Sequence, residues 1–424
     1  MADTPAWNET LGARSEGAVQ GQREHARAGH SALQRASEFR RASTAVRVPY
    51  RQRLLYWIYY IALAHRGTPV YSATRDAQYA DGFYRRRYDR TCEKINRRLE
   101  RAGPRSGFLE IPSFGHGELE PAEVQRLLRL NVPFVIRDGA RDLPAADWSL
   151  EYLERVAGSC QVPINDAPDR PEEDRSRPTK AHRYYRFHTG TLSQVVASIR
   201  SGGNMRIGVA EDVMHHDGGR LRRDLDIPYW ERMSGWEQNQ HHWFRSRLFV
   251  GKVASAQLIL QPPGAFTLWH AEPGDNFFVL VRGEKTWTLA HPYYTAAMRP
   301  RVKPTTNYSG SNIDVREPDE VQRQRGFAGY LGVPRARVDL RAGDVLRVPN
   351  HWWHTAETHP DHYAIAASIR SEPHPNLVGP GYVALRMLDR QYHAMVKAFQ
   401  EHGRITDRHI GYPRRSRSET EMRA

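Results

Sequence analysis

The chain has 424 residues, 39% of them hydrophobic and 10% aromatic, enough to bury a sizeable core and to exclude wholesale disorder. A formal charge of +14 comes from 62 Lys and Arg against 48 Asp and Glu, and two cysteines exclude a disulfide framework or a Cys-rich zinc site. The longest apolar run, Leu54 to Ala64, covers 11 residues, short of the ~20 that a membrane-spanning helix needs. The opening residues contain no apolar stretch of the secretory kind, so the expectation is a water-soluble, cytoplasmic protein with no transmembrane segment.

Residues 1–46 are polar and expected to be loose. Residues 47–107 read as a basic helical extension. After Pro49 comes a helix with a wide apolar side, closed by Gly67. A second helix spans 81–102, with Phe83, Tyr88, Cys92, Ile95 and Leu99 at helical spacing and Arg85, Arg86, Arg90, Arg97 and Arg98 on its other face. Residues 1–107 hold 20 Lys and Arg against 10 Asp and Glu, most of the chain's surplus. Such a surface could meet an anionic partner such as RNA, a membrane face or an acidic protein; a solvated Arg-rich face is the commoner case. For the apolar stripe of the first helix, packing against the main domain or a second subunit is favoured over a membrane surface.

The texture changes after Gly103 and Pro104, and residues 108–375 read as one domain. Val132 to Ile136 is a short buried strand, Trp148 to Leu153 a capped helix start, Asp166 to Ala181 a charged loop, and Leu192 to Ile199 a helix. From Leu248 to Ser371, short apolar runs alternate with Gly, Pro and Asn turns, which argues an all-β sandwich or barrel. Residues 376–424 hold one amphipathic helix, Pro380 to His402, and a basic tail.

Three segments of the β region carry chemistry. In Thr267-Leu268-Trp269-His270-Ala271-Glu272, His270 and Glu272 are two apart and leave one face of an extended strand together. In Gly343 to His354, a strand enters a Pro-bounded turn and delivers His354. In the hairpin Asn276 to Leu289, Lys285 shares a face with Trp287 and Leu289, and a lysine on an inward face needs an anion. Two imidazoles and a carboxylate on one side of a metal leave its other positions open, as non-haem iron oxygenases require. His351 is a competing donor, three residues away and so aimed elsewhere in an extended backbone. The pairs His215-His216 and His241-His242 read as surface or loop residues.

Residues from about Asn131 to Ile369 resemble the JmjC/cupin-like family of Fe(II)- and 2-oxoglutarate-dependent oxygenases, close in pattern to its asparaginyl-hydroxylase branch. The likeness rests on T-x-x-H-x-E at Thr267 to Glu272, on Asn276-Phe277-Phe278, on Gly283-x-Lys285 and on the run ending at Trp352-Trp353-His354. It implies a mainly β core, a double-stranded β-helix of the cupin or jelly-roll kind with flanking α-helices at both ends. It also implies Fe(II) on His270, Glu272 and His354, with 2-oxoglutarate on Lys285 and Thr267 and O₂ as co-substrate. Asn276 is placed to orient the site or cap its turn, and Ser368 stands where a polar amide is often seen. Dimerisation through the C-terminal helix is a further implication. A glutamate stands at 272 where many relatives have aspartate, and no tyrosine for the co-substrate is apparent in Asn204 to Val209.

The reading that follows is a 2-oxoglutarate-dependent dioxygenase, a hydroxylase of a C–H bond on a protein or peptide side chain, yielding succinate and CO₂. A small natural product or a tRNA base is the alternative acceptor. The rivals from other classes are a non-catalytic metal-binding cupin-like module and a zinc hydrolase, since His₂Glu also suits Zn²⁺.

Overall fold

The computed structural model describes residues 32–65, 82–105, 107–166, 186–300, 302 and 309–407. Most of the loop expected at Asp166 to Ala181 lies outside them, as do the first 31 residues and the basic tail.

Eight strands make the centre: β1 (Val253–Gln261), β2 (Phe266–Ala271), β3 (Asp275–Arg282), β4 (Glu284–Ala290), β5 (Arg335–Arg341), β6 (Val345–Val348), β7 (Trp353–Thr358) and β8 (Ala364–Ser371). They are shared between two sheets. One carries β5, β4, β7 and β2 in that order; the other carries β6, β3, β8 and β1, and every neighbouring pair among them is antiparallel. β3 reads as a continuous apolar run because seven of its eight residues are buried, the pattern of a strand covered on both faces. Between β3 and β4, Gly283 takes φ 84°, and a Cβ there would stand 2.2 Å from the Tyr363 carbonyl oxygen, so this turn admits no side chain.

Neither sheet closes on the other. The first is extended by Leu109–Glu110 and Ser309–Gly310 to six strands. The second is extended to nine by Ser113–Phe114 and Phe134–Ile136 beyond β6, and by Met205–Ala210, Gln161–Asp166 and Arg186–Thr191 beyond β1. Helix accounts for 42% of the described residues and strand for 25%. The expected mainly β double-stranded β-helix is therefore corrected to a mixed α/β fold with two open sheets. The physical reason is that strands from residues 109–210, with Ser309–Gly310, prolong the sheet edges instead of letting them meet. Helices Asp319–Gln324 and Ala328–Leu331 also interrupt the stretch that read as all β.

Helices cover the sheets. Tyr50–His65 and Phe83–Arg101 pack on the first one: Tyr56, Tyr60, Cys92 and Leu99 share a buried cluster with Trp269 of β2 and Trp353 of β7. Tyr56, Tyr60 and Leu63 of the first helix thus face the domain while Leu54 and Ile58 of its apolar run stay exposed, and in the second helix Phe83, expected in its apolar series, is exposed in the first turn. Residues 32–43 are helical and bury Ala36 and Phe39 in the main core, with Phe39 stacked on Trp352, which corrects the expectation of a loose segment to residue 46. On the second sheet, Leu150–Ala157 starts at Ser149, whose hydroxyl accepts from the Tyr152 N–H at 3.1 Å. The helix expected over Pro380 to His402 is two, Pro380–Leu388 and Arg390–His402. Asp389 between them has ψ 102° and accepts from the Tyr392 N–H at 3.2 Å, capping the second. Among the described residues no helix is long and apolar enough to cross a membrane.

Candidate metal centre

The pairing of β2 with β7 sets His270 directly opposite His354, with ring centroids 4.1 Å apart. Glu272 follows the end of β2, and one ligand atom from each of the three lies within 4.8 Å of the others. Each imidazole donates its Nδ1 proton to a carbonyl two residues back, His270 to Leu268 and His354 to Trp352, both at 2.8 Å. That tautomer leaves both Nε2 lone pairs for a metal. Burial lowers the His354 imidazole to about 3, assisted by the neighbouring His270 ring, and burial likewise lowers His270. Burial alone would raise the Glu272 carboxyl, but the Arg370 guanidinium at 2.5 Å and the two imidazoles hold it near 2. At neutral pH the set is two neutral nitrogens and one carboxylate, a two-His-one-carboxylate facial triad consistent with Fe(II).

The turn before β7 is fixed from below. His351 adopts φ 56° and its N–H donates to the Glu272 carbonyl at 2.8 Å, joining the two ligand-bearing segments. Its imidazole is buried against the Tyr382 ring at 3.6 Å and stands outside the triad. Arg347, fully buried, donates to Asp275 at 2.7 Å and to the Val132 carbonyl at 2.8 Å, while Asp275 also accepts from the Asn350 N–H. One buried ion pair therefore ties β3, β6 and the turn that presents His354.

Lys285 is 3% exposed on β4. It lies opposite Thr358, four residues along β7 from His354 on the same face, a span of ~13 Å. Its ammonium donates to Gln261 Oε1 at 2.5 Å and Thr358 Oγ1 at 2.8 Å. Burial, then the charge of Arg206, pulls its pKa down to about 7. Thr267 is half-buried on β2, and its carbonyl accepts from the Thr355 hydroxyl. Asn276 on β3 accepts from the Ser368 hydroxyl on β8 at 2.8 Å, both side chains being buried. His241 and His242 are exposed, and His215 contacts Glu211 at 3.3 Å.

Four neighbours of the site escaped the sequence reading: Arg370 on Glu272, and Gln261, Thr358 and Arg206 around Lys285. The period-two spacing of Ser368 and Arg370 is the one signal for Arg370; the others depend on strand pairing.

A family model described as a cupin-like domain matches residues 120–369, more than half of the chain. The chain is 25% identical over 232 residues to JmjC domain-containing protein D of Dictyostelium discoideum, covering 52% of this chain and 48% of that protein. It is 36% identical over 253 residues to HSPB1-associated protein 1 of Bos taurus, covering 55% and 46%. To tRNA wybutosine-synthesizing protein 5 of Mus musculus it is 26% identical over 214 residues, covering 49% and 61%. The chain thus spans about half the length of the curated relatives it matches. The likeness reaches the superfamily and stops short of an asparaginyl-hydroxylase branch.

Proposed function

Because the chain belongs to the cupin-like domain family, and carries the oxygenase fold with its facial-triad site, we propose that it is a working Fe(II)- and 2-oxoglutarate-dependent hydroxylase. The observation that carries this is the preset triad: two neutral imidazoles with their Nδ1 protons committed to backbone carbonyls, and a carboxylate kept ionised by Arg370. That donor set fits a first-row divalent ion, and the buried Lys285 fits the far carboxylate of a 2-oxo dicarboxylic acid. When bound, iron with 2-oxoglutarate and O₂ supplies oxidation of a C–H bond coupled to decarboxylation to succinate and CO₂.

The protein's own residues have distinct tasks in this reading. His270, Glu272 and His354 hold the metal. Lys285 holds the co-substrate's distal carboxylate, steered by Gln261 and Thr358, with Thr267 at the same strand level as Ala356. The Asn276–Ser368 pair presents a buried polar surface between β3 and β8. The acceptor suggested by resemblance is a protein or peptide side chain. The relatives' names, one for association with a protein and one for tRNA, do not choose between macromolecules.

The test is spectroscopic. Anaerobic protein with Fe(II) and 2-oxoglutarate is expected to develop a visible charge-transfer band, absent from His354→Ala and weakened in Lys285→Ala. Folded wild-type protein with excess iron and no band would overturn the proposal.

A further inference from the structure

In the loop that leads into β1 the chain exposes two aromatic rings where burial would be the usual fate. Trp243 is 70% and Phe244 46% exposed, with ring centroids 5.5 Å apart and tilted by 55°, so neither covers the other. The Arg247 guanidinium lies 6.0 Å from the Trp243 ring. The loop is held in shape: Asn239 donates to the Val250 carbonyl at 3.1 Å, Arg245 donates to Asn239 at 3.3 Å, and the Ser246 hydroxyl donates to the His242 carbonyl at 2.9 Å. Residues 238–271 contain no Asp or Glu. A fixed loop that offers ring faces among guanidinium groups is built for flat, anionic polymers.

A second feature adjoins it. A cleft of about 510 Å³ is lined by His215, which also contacts Glu211 at 3.3 Å, and by Arg222, Arg223 and Arg404, with Asp226 as the one carboxylate among its described lining residues. That carboxylate is engaged in capping the Tyr229 N–H. The two features are connected: Phe249, at the end of the aromatic loop, packs edge-on against Phe399 at 5.3 Å, and Arg404 follows five residues later. Asp407, just beyond, accepts from the Glu211 N–H at 2.6 Å, and Glu211 in turn meets Ser255 and the Ala256 N–H at the start of β1. On the other side, the Gly251 N–H donates to the Glu372 carbonyl, two residues past the Arg370 that grips Glu272. Loop and cleft therefore flank the end of β1 and β8 that borders the triad.

We propose that this rim is a docking surface for a single-stranded nucleic acid, whose bases stack on Trp243 and Phe244 and whose phosphates enter the Arg222–Arg404 cleft. Unpaired bases are required because only they offer free faces to the rings. An acidic peptide would satisfy the guanidinium groups and leave the rings bare, and a bilayer would meet the rings and not enter the cleft. The inference stands on this surface and does not need the oxygenase reading.

The experiment is fluorescence anisotropy on the full chain with labelled single strands of about 12 nucleotides, RNA and DNA of one mixed sequence, in roughly 50 and 200 mM salt. Binding to at least one strand is expected at the lower salt, weakening tenfold or more at the higher. Trp243→Ala with Phe244→Ala should weaken it tenfold or more, Trp243→Phe should restore most of it, and Arg404→Glu should reduce both affinity and salt dependence. Unaltered thermal unfolding midpoints show that these surface variants fold. No binding to either strand, equal binding by the double variant, or tighter binding to phosphatidylserine vesicles or a poly-glutamate peptide would overturn the proposal. Because iron and 2-oxoglutarate are left out, a chain that binds the strands without the charge-transfer band counts against the oxygenase alone. One that gives the band and ignores the strands counts against this surface alone.

Discussion

Replacing Lys285 by Met separates what the lysine does for the fold from what it does for a ligand. Its amine, ordinarily near 10.5, falls to about 7 in the folded chain. The gap corresponds to roughly 5 kcal/mol against the folded state at low pH and roughly 4 kcal/mol at neutral pH. Methionine removes that charge at similar length. It also removes the hydrogen bonds to Gln261 and Thr358, at about 1 kcal/mol each. Gln261 Oε1 is not orphaned, because the Thr358 hydroxyl still donates to it at 3.1 Å. The net expectation is a protein more stable by about 2 kcal/mol, which a calorimetric scan without ligand would read as a rise of roughly 2–6 °C. The same variant loses the partner of a buried carboxylate, a cost of about 2–5 kcal/mol, so its Kd for 2-oxoglutarate should rise ~30-fold or more in an anaerobic titration. A Tm lowered by several degrees, or a Kd within threefold of wild type, would refute the reasoning that Lys285 is a cation kept at a cost for an anion.

The same amine predicts two pH dependences. A carboxylate ligand selects its charged form, so 2-oxoglutarate affinity should fall as pH rises through about 7, by up to about tenfold per pH step until the liganded lysine also titrates; a flat profile in pH-stepped titrations would contradict this. Without ligand the unfolded chain keeps this proton up to about 10.5 while the folded chain releases it near 7. Stability from this group therefore increases with pH across that window, and urea unfolding of Lys285→Met should lack that increment. Gly381→Ala would place a Cβ 2.0 Å from the Trp57 ring, an overpacking worth about 1–3 kcal/mol. Gly379→Ala, whose Cβ meets nothing nearer than 3.8 Å, is the control, and equal Tm values for the two would deny that the first helix is tightly seated on the C-terminal one.

Local patterns determined much of this protein directly. The two-residue spacing of His270 and Glu272, the Pro-bounded turn before His354 and the alternation of Lys285, Trp287 and Leu289 are short-range facts, because side-chain direction along a strand follows from the backbone period. The helices at Tyr50–His65 and Leu150–Ala157 were legible for the same reason, from apolar periodicity and a serine cap. The break at Asp389 was not, since a buried aspartate that caps a following helix looks, in sequence, like one more polar residue in an amphipathic run. Only the tertiary structure decided that the sheets stay open, because the strand beyond β1 comes from a segment 48 to 53 residues away and the strand beyond β6 from one 209 to 213 residues away. It alone set Arg370 on Glu272 and Gln261 and Thr358 on Lys285, contacts made across 24 to 98 residues. A linear pattern specifies which face a side chain takes, whereas the partner it meets there is chosen by strand register and packing.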